Sequence, residues 1–247
     1  SFDYTEVAQL SATLNYSISE IKKSEEIQKD VIQNVSHELR TPLTMIRSYT
    51  ELLQDISGDD PVKRKEHLQV ISEQTDRLEN LVKDMIDLSK LQAKTMVFNK
   101  TEFNLSECLK GIEDNYKTRY EKEGYKFKFK IAKNIKINAD KQRIEQVIMN
   151  LINNAINYSK YNKNIQVNLR KENDHAILEV IDHGMGISEK DLPQIFERHF
   201  RSISSQKATV GSGVGLTIVK EILDYHGYSI HVSSKENEGS TFTVEFN

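Results

Sequence analysis

The chain of 247 residues contains one cysteine, Cys108, and no apolar run close to the roughly 18 residues that a membrane-spanning helix needs. A single cysteine excludes an internal disulfide and a zinc site built from cysteines, and we expect a reducing compartment. The first residues do not resemble a signal peptide. Because the chain begins at Ser1 within a helical pattern and without a methionine, we expect it to be a fragment of a longer protein.

The chain also lacks an excess of positive charge. It has 34 Lys and Arg against 37 Asp and Glu, a net charge of -3, and the two signs are interleaved without a polybasic tract. Proteins that bind nucleic acids usually carry a basic patch, so we expect no nucleic-acid partner. The composition, 37% hydrophobic and 29% charged, is typical of a globular protein with long exposed helices. The length predicts more than one domain.

The N-terminal part of the chain is predicted to be helical. Apolar residues recur at spacings of three, four and occasionally six from residue 7 to residue 53, and a second apolar stripe extends from 68 to 91. The composition of residues 55–61 predicts the loop between the two helices. Long helices joined by a short loop form an antiparallel hairpin. Because this hairpin cannot cover its own apolar stripe, we expect it to dimerise into a four-helix bundle, and docking onto the C-terminal domain is the alternative.

After about residue 100 the pattern changes to short segments that alternate polar and apolar residues. Period-two alternation predicts strands at 125–131, 165–170, 176–182 and within 229–246. Helical periodicity predicts helices at 105–123, 141–158 and 216–226. The combination predicts an α+β domain in which a mixed sheet carries helices on one face.

The segment NVSHELRTPLT, residues 34–44, places an imidazole beside a carboxylate and ahead of a proline. Pro42 cannot donate a hydrogen bond to the carbonyl of Glu38, and its ring clashes there, so we expect the helix to bend one turn after His37. The helical phase turns His37 towards solvent, where Glu38 can take its proton. His37 is therefore a candidate nucleophile. The alternative is a solvated histidine beside a carboxylate that has no role.

The helix predicted at 141–158 carries four asparagines between residues 150 and 157, which is costly because asparagine is a poor helix former. Asn150 and Asn154 are four residues apart and share a face beside the apolar stripe. Two amide oxygens there could hold a hydrated magnesium ion, which prefers oxygen ligands and keeps several waters. The alternative is an ordinary polar helix face.

Two glycine-rich segments suggest a bound nucleotide. Asp182 ends a predicted strand, and Gly184 and Gly186 permit a tight turn after it. A carboxylate held there can accept a hydrogen bond from an exocyclic amine such as that of adenine, and a plain turn is the alternative. The segment GSGVGL, 211–216, precedes an amphipathic helix and offers backbone N–H groups to phosphates, although its spacing matches neither the Rossmann fingerprint nor the P-loop. Between them, residues 196–210 are interpreted as a mobile lid over a ligand.

These segments together resemble the motifs of bacterial sensor histidine kinases. SHELRTPL resembles the H box, NLINNAINYS the N box, DHGMG the G1 box, FERHFR the F box, GSGVGL the G2 box, and GSTF the short third glycine motif. All six occur in the family's order and spacing across roughly residues 31–247. Residues 6–18, EVAQLSATLNYSI, resemble the end of a HAMP signal-relay module, which suggests that membrane-spanning and sensor segments precede the chain.

The resemblance implies three regions. Residues 1–30 would be a signal-relay helix at the end of a HAMP-like module, and residues 31–95 the dimerisation and histidine phosphotransfer hairpin. Residues 100–247 would be the catalytic ATP-binding domain, an α/β sandwich of the type shared with gyrase. The chain would then be the cytoplasmic portion of a homodimeric protein anchored in the membrane.

The resemblance also implies the reaction. His37 would take the γ-phosphoryl group of ATP and pass it to an aspartate in the receiver domain of a response regulator. Glu38 would be the general base, and Arg40 would steady the acceptor site. Thr41 matches the position that in this family orients water for dephosphorylating the regulator.

The family's nucleotide contacts map onto this chain residue by residue. Asn150 and Asn154 match the magnesium and phosphate contacts, Asp182 the adenine contact, and Arg198 and Arg201 on the lid could reach the transferred phosphate. The residues expected to bind ATP are Asn150, Asn154, Tyr158, Asp182, Gly184, Gly186, Arg198, Arg201, Gly211, Gly213, Gly215, Leu216 and Thr241.

One position departs from the family pattern. Asn157 stands where many members have a lysine that contacts a phosphate, which predicts weaker nucleotide affinity unless Lys160 or a lid arginine substitutes. Two other interpretations compete with a kinase. An ATP-gated clamp of the same fold would leave His37 and Glu38 unexplained. A scaffold or phosphatase-dominated protein with a degenerate nucleotide site is favoured by Asn157 alone.

Overall fold

The structure is a computed structural model that describes residues 9, 13–15, 17, 18, 36, 39–93, 95–159, 162–197 and 214–247. The chain divides into two compact units, residues 1–81 and 82–247. Most of the predicted relay helix lies outside the described residues, as do His37 and Glu38. The bend expected at the carbonyl of Glu38 therefore stays a prediction.

The first unit is built on a helical hairpin. Its helices are α1, residues 39–52, the π-helix Leu53–Ser57, and the beginning of α2, Pro61–Gln92. The loop predicted over residues 55–61 is shorter than expected, because helical geometry continues as far as Ser57. The Ser57 hydroxyl donates to the carbonyl oxygen of Leu52, five residues earlier, at 3.0 Å, and so bridges the same span as a backbone hydrogen bond of a π-helix.

Several apolar side chains of this hairpin are exposed. Leu43 in α1 is 54% exposed, Ile56 in the π-helix is 75% exposed, and Val62 and Leu68 in α2 are also open to solvent. Helix faces of this kind are typical of surfaces that pack against another chain. In the described part of the chain, no helix has a stretch long and apolar enough to cross a membrane.

The second unit contains two sheets. Their strands are β1 (Thr101–Asn104), β2 (Lys126–Ile131), β3 (Lys136–Ala139), β4 (Asn164–Glu172), β5 (His175–Asp182), β6 (Ser229–Lys235) and β7 (Gly239–Phe246). Strands β1 and β3 form a small antiparallel pair. The larger sheet has the order β2-β4-β5-β7-β6, in which β2 and β4 are parallel and the other neighbours are antiparallel.

Helices cover one face of the larger sheet. They are α3 (Leu105–Tyr120), α4 (Lys141–Tyr158) and α5 (Gly215–His226). Alternate strand residues such as Val167, Leu178 and Val244 are buried in one core with Leu151 and Ile218. Each such side chain contributes about 1.5–3 kcal/mol when it leaves water. The predicted α+β domain, a mixed sheet with helices on one face, is confirmed.

Candidate nucleotide-binding site

Helix α4 carries most of the candidate site. It begins at Asp140, whose carboxylate accepts a hydrogen bond from the backbone N–H of Arg143 at 3.2 Å and so caps the helix. Leu151 and the other apolar residues of its stripe are buried, while Asn150 and Asn154 lie half-buried at the edge of that stripe. The helix therefore holds both amides at the border of the core, as the periodicity predicts.

The middle of α4 meets the start of α5. The side-chain amide of Asn150 donates to the carbonyl oxygen of Gly215, the first residue of α5, at 3.3 Å. Val214, at the N-cap, makes no side-chain cap. As in any helix, the first backbone N–H groups of α5 have no acceptor within the helix itself. These donors and the positive end of the helix dipole suit a phosphate group.

Asp182 lies near the C-terminal end of α4, and a backbone N–H group fixes its carboxylate. Asp182 ends β5, is only 5% exposed, and accepts a hydrogen bond from the N–H of Gly184 at 2.8 Å. Burial raises the pKa of this carboxyl and outweighs the effect of the backbone N–H groups of Gly184 and Ser240, which lower it. A buried carboxylate with a further lone pair available is suited to receive an amine of a base.

The loop after Asp182, residues 183–187, packs on the last turn of α4. The N–H of Met185 donates to the carbonyl oxygen of Tyr158 at 3.2 Å. A Cβ atom at position 184 would lie 2.2 Å from that same oxygen, so only glycine permits this close approach. The loop thereby joins Asp182 to Tyr158.

The same loop also packs on the turn between β6 and β7. Asn237 donates its backbone N–H to the carbonyl oxygen of Met185 at 2.7 Å. Gly186 has a φ of +66°, and a Cβ atom there would lie 2.0 Å from the carbonyl oxygen of Lys235. The loop is therefore fixed from both sides.

The site is elongated along α4. Asn150, beside the start of α5, and Tyr158, beside the loop after Asp182, are separated by eight residues, about 12 Å of helix, and Asn154 lies between them. No cluster of three or more His, Cys, Asp or Glu side chains suited to a metal ion occurs among the described residues. Because Asn150 uses its amide nitrogen on Gly215, its oxygen remains suited to a magnesium ion that phosphates and water would also ligate.

Thr241 is not brought to Asp182. In the sheet register Asp182 faces Ser240, whereas Thr241 faces Ile181 and Ser233. Because successive side chains of a strand point to opposite faces, Ser240 lies on the helix-covered side with Asp182, and Thr241 lies on the other side. The sequence analysis missed Ser240. Its position one residue earlier in GSTF was the signal, but the register of β7 decides which residue faces the site.

The remaining predicted residues are placed as follows. Arg40 and Thr41 are exposed in α1, and Leu216 is half-buried against the core at the start of α5. Six predicted residues lie outside the described part of the chain: His37, Glu38, Arg198, Arg201, Gly211 and Gly213.

The beginning of the predicted lid is anchored to α5. The hydroxyl of Thr217, which is buried, donates to the carbonyl oxygen of Glu197 at 3.2 Å. Ile195 is buried in the core just before it. The interpretation of residues 198–210 as a lid concerns residues outside the described ranges.

Comparison with protein families identifies two matches. Residues 139–247 match the model of the histidine kinase-, DNA gyrase B- and HSP90-like ATPases, and residues 27–94 match the His Kinase A phospho-acceptor domain. The chain belongs to the bacterial sensor histidine kinases. The family predicted from the six sequence motifs is thereby confirmed.

Individual histidine kinases agree with this assignment. The chain is 32% identical over 252 residues to the signal transduction histidine-protein kinase ArlS of Staphylococcus aureus, covering 99% of this chain and 54% of ArlS. This histidine kinase chain thus spans about half the length of the curated relatives that it matches.

Solved structures also resemble the fold. The histidine kinase AdeS of Acinetobacter baumannii superposes with a TM-score of 0.64 at 25% identity, covering 85% of this chain and 97% of AdeS. The histidine kinase ThkA, in complex with the response regulator protein TrrA, gives a TM-score of 0.66 at 27% identity, covering 91% of this chain and 63% of ThkA.

Proposed function

We propose that this chain is an ATP-dependent protein-histidine kinase that phosphorylates its own His37 and passes the phosphoryl group to an aspartate of a response regulator. One observation carries the proposal. The phospho-acceptor match over residues 27–94, which contains His37, and the ATPase match over residues 139–247 occur in one chain. The arrangement of Asp182, Tyr158 and Asn150 around α4 supports the proposal that a nucleotide binds there.

The described residues bind and orient the nucleotide in this proposal. Asp182 accepts a hydrogen bond from the exocyclic amine of adenine, and the loop fixed by Gly184 places the base against the end of α4. The first N–H groups of α5 and the amides of Asn150 and Asn154 hold the phosphates and magnesium. Bound magnesium neutralises the charge of the phosphates.

The phosphoryl transfer itself involves His37. An imidazole nitrogen of His37 attacks the γ-phosphorus while Glu38 takes the proton from the other ring nitrogen. The bond between the γ-phosphorus and the bridging oxygen breaks, and ADP leaves with that oxygen. The phosphoryl group then passes from His37 to a carboxylate oxygen of the regulator as the bond between phosphorus and the ring nitrogen breaks. Glu38 returns the proton to the ring, which restores the neutral imidazole.

We propose residues 31–95 as the dimerisation and phosphotransfer region, residues 100–247 as the catalytic region and residues 1–30 as the relay helix. Exposed apolar side chains on both helices of the hairpin, such as Leu43 and Leu68, support a homodimer in which a four-helix bundle covers them. The complex of the similar kinase ThkA with TrrA supports a response regulator as the second partner. The resemblance of residues 6–18 to a HAMP module supports a membrane-anchored full-length protein, with this chain on the cytoplasmic side.

A second activity is proposed from Thr41. This residue is exposed in α1, four positions after His37, where its hydroxyl can orient water towards a phosphorylated regulator. In Thr41→Ala we expect slower dephosphorylation of the regulator with unchanged labelling of His37. Equal phosphatase rates in the two proteins would refute this role.

The test of the kinase proposal is incubation of the chain with magnesium and γ-labelled ATP. We expect a protein label that is labile in acid, stable in alkali and absent in His37→Ala, as phosphohistidine requires. Turnover of ATP without a protein label would favour the ATP-gated clamp. Dephosphorylation of a regulator without any ATP binding would favour a phosphatase with a degenerate site.

A further inference from the structure

The hydroxyl of Ser234 in β6 makes every hydrogen bond of which it is capable. Its Oγ accepts a hydrogen bond from the backbone N–H of Ile187 at 2.8 Å, lies 2.8 Å from the carbonyl oxygen of Gly239 and lies 2.9 Å from Oγ of Ser240. The oxygen of Gly239 can only accept, so Ser234 donates its one proton there and Ser240 donates to Ser234. A serine hydroxyl has one donor and two acceptor sites, and all three are occupied in this arrangement.

Two of the three partners of Ser234, Ile187 and Ser240, adjoin the base end of the proposed nucleotide site. Ile187 is the last residue of the loop 183–187, and its N–H is fixed by Ser234. Ser240 is the register partner of Asp182 in the β5–β7 pair, and its side chain is fixed by Ser234. The Ser234 hydroxyl therefore connects the end of the loop 183–187 with β7, the strand that pairs with Asp182 at the beginning of that loop.

The contacts of Ser234 differ from those of its neighbour Ser233. Ser234 is half-buried on the helix-covered side of β6, the same side as Ser240 and Asp182. Ser233 faces Thr241 on the opposite side of the sheet and is exposed. Two serines adjacent in sequence thus provide one variant and one matched control.

We propose that Ser234 is a positioning residue for adenine recognition, which acts on the base through Ser240, Asp182 and the end of the loop. The inference rests on the proposed kinase function and adds to it a residue outside the recognised motifs. Ser234 makes no contact with the phosphates in this proposal, so its effect falls on nucleotide binding and not on phosphoryl transfer.

The experiment compares Ser234→Ala, Ser234→Thr and Ser233→Ala in the full chain. Loss of the Ser234 hydroxyl leaves the N–H of Ile187 and the hydroxyl of Ser240 without their partner, so we expect ADP to bind about tenfold more weakly by calorimetry. The KM for ATP in autophosphorylation should rise by a similar factor, while kcat at saturating ATP stays within about twofold. Ser234→Thr keeps the hydroxyl and should restore most of the affinity, and Ser233→Ala should bind ADP like the wild type.

Ser240→Ala serves as a second variant in case Ser234→Ala does not fold. It removes one of the three partners, so ADP should bind about threefold more weakly, with kcat again preserved. Unchanged ADP affinity in Ser234→Ala or Ser240→Ala would overturn the inference. The inference would also be overturned if Ser234→Ala lost both kcat and thermal stability and Ser234→Thr did not restore them, because this result would indicate a purely structural role. Wild-type protein that binds no ADP would overturn the proposed function and the inference together. If the wild type binds ADP and the Ser234 variants bind it equally well, the inference alone fails.

Discussion

The carboxylate of Asp87 in α2 accepts a hydrogen bond from the guanidinium of Arg143 in α4 at 2.7 Å, with side chains 7% and 23% exposed. Gln146 completes the group, because its amide donates to Asp87 at 3.0 Å and its oxygen accepts from Arg143 at 2.8 Å. The end of α2 is thereby tied to the first turns of the helix that carries Asn150 and Asn154. This ion pair lies within the unit of residues 82–247.

Arg143→Met should lower the free energy of unfolding by about 3 kcal/mol, because it leaves the charge of Asp87 buried, and Gln146 is then its one side-chain donor among the described residues. Urea denaturation followed by circular dichroism measures the change. In the double variant Asp87→Leu with Arg143→Met the loss should be smaller, since no buried charge remains. The control is Lys136→Met, which breaks an exposed pair with Glu102 and should cost less than about 0.5 kcal/mol. Similar losses in the buried and exposed variants would contradict this account.

Gly184→Ala should weaken ADP binding by at least about tenfold, because the added Cβ would lie 2.2 Å from the carbonyl oxygen of Tyr158 and displace the loop. Titration calorimetry measures the affinity. Gly111→Ala is the matched control, since no atom lies within 4 Å of its added Cβ in the interior of α3. That control should raise the free energy of unfolding by about 0.5–1 kcal/mol and leave ADP affinity unchanged. An unaffected affinity in Gly184→Ala would show that the loop can move without loss of the site.

His226 predicts a pH dependence of stability. Its Nε2 accepts a hydrogen bond from the N–H of Asp140, the residue that caps α4, at 3.0 Å, and its Nδ1 donates to the carbonyl oxygen of Ile222 at 2.7 Å. Burial lowers the pKa of His226. The hydrogen bond to Ile222 opposes this shift, the charge of Lys100 adds to it, and the charge of Asp140 opposes it.

The sign of the pH effect follows from the lowered pKa. Below about pH 6.5 the unfolded chain binds a proton at His226 before the folded chain does, so stability falls as the pH falls and is retained above that value. The thermal midpoint of the wild type should therefore drop between neutral pH and about pH 5.5. His226→Gln keeps an acceptor for Asp140 and cannot titrate, so its midpoint should drop less. Parallel curves for the two proteins would exclude His226 as the cause.

Asn157→Lys should tighten ADP binding, because Asn157 is exposed on α4 beyond Asn154, where the family commonly has a lysine on a phosphate. We expect a gain of about threefold at low salt that declines at high salt, as screening requires. Gln142→Lys, at an exposed position near the start of the same helix, adds the same charge away from the site and should give no gain. No tightening in Asn157→Lys would contradict the prediction that Asn157 weakens nucleotide binding.

Local patterns predicted most of the secondary structure. The period-two segments became β2, β4, β5, β6 and β7, and the helical segments became α3, α4 and α5, because period and length are carried by neighbouring residues. Strands β1 and β3 were not predicted, because each has four residues and is stabilised by pairing with the other. The loop expected at 55–61 was also too long, since the hydrogen bond between Ser57 and Leu52 is not visible in composition.

The sequence by itself determined the family and the order of the motifs, and it predicted the residues that would bind a nucleotide, since these are properties of residue type and spacing. Only the tertiary structure decided which side chains meet. It places Ser240 and not Thr241 beside Asp182, because a shift of one residue along a strand reverses the face. It also brings Ser234 into contact with Ile187 and Ser240, which lie 47 and 6 positions away along the chain, and no local pattern encodes these contacts.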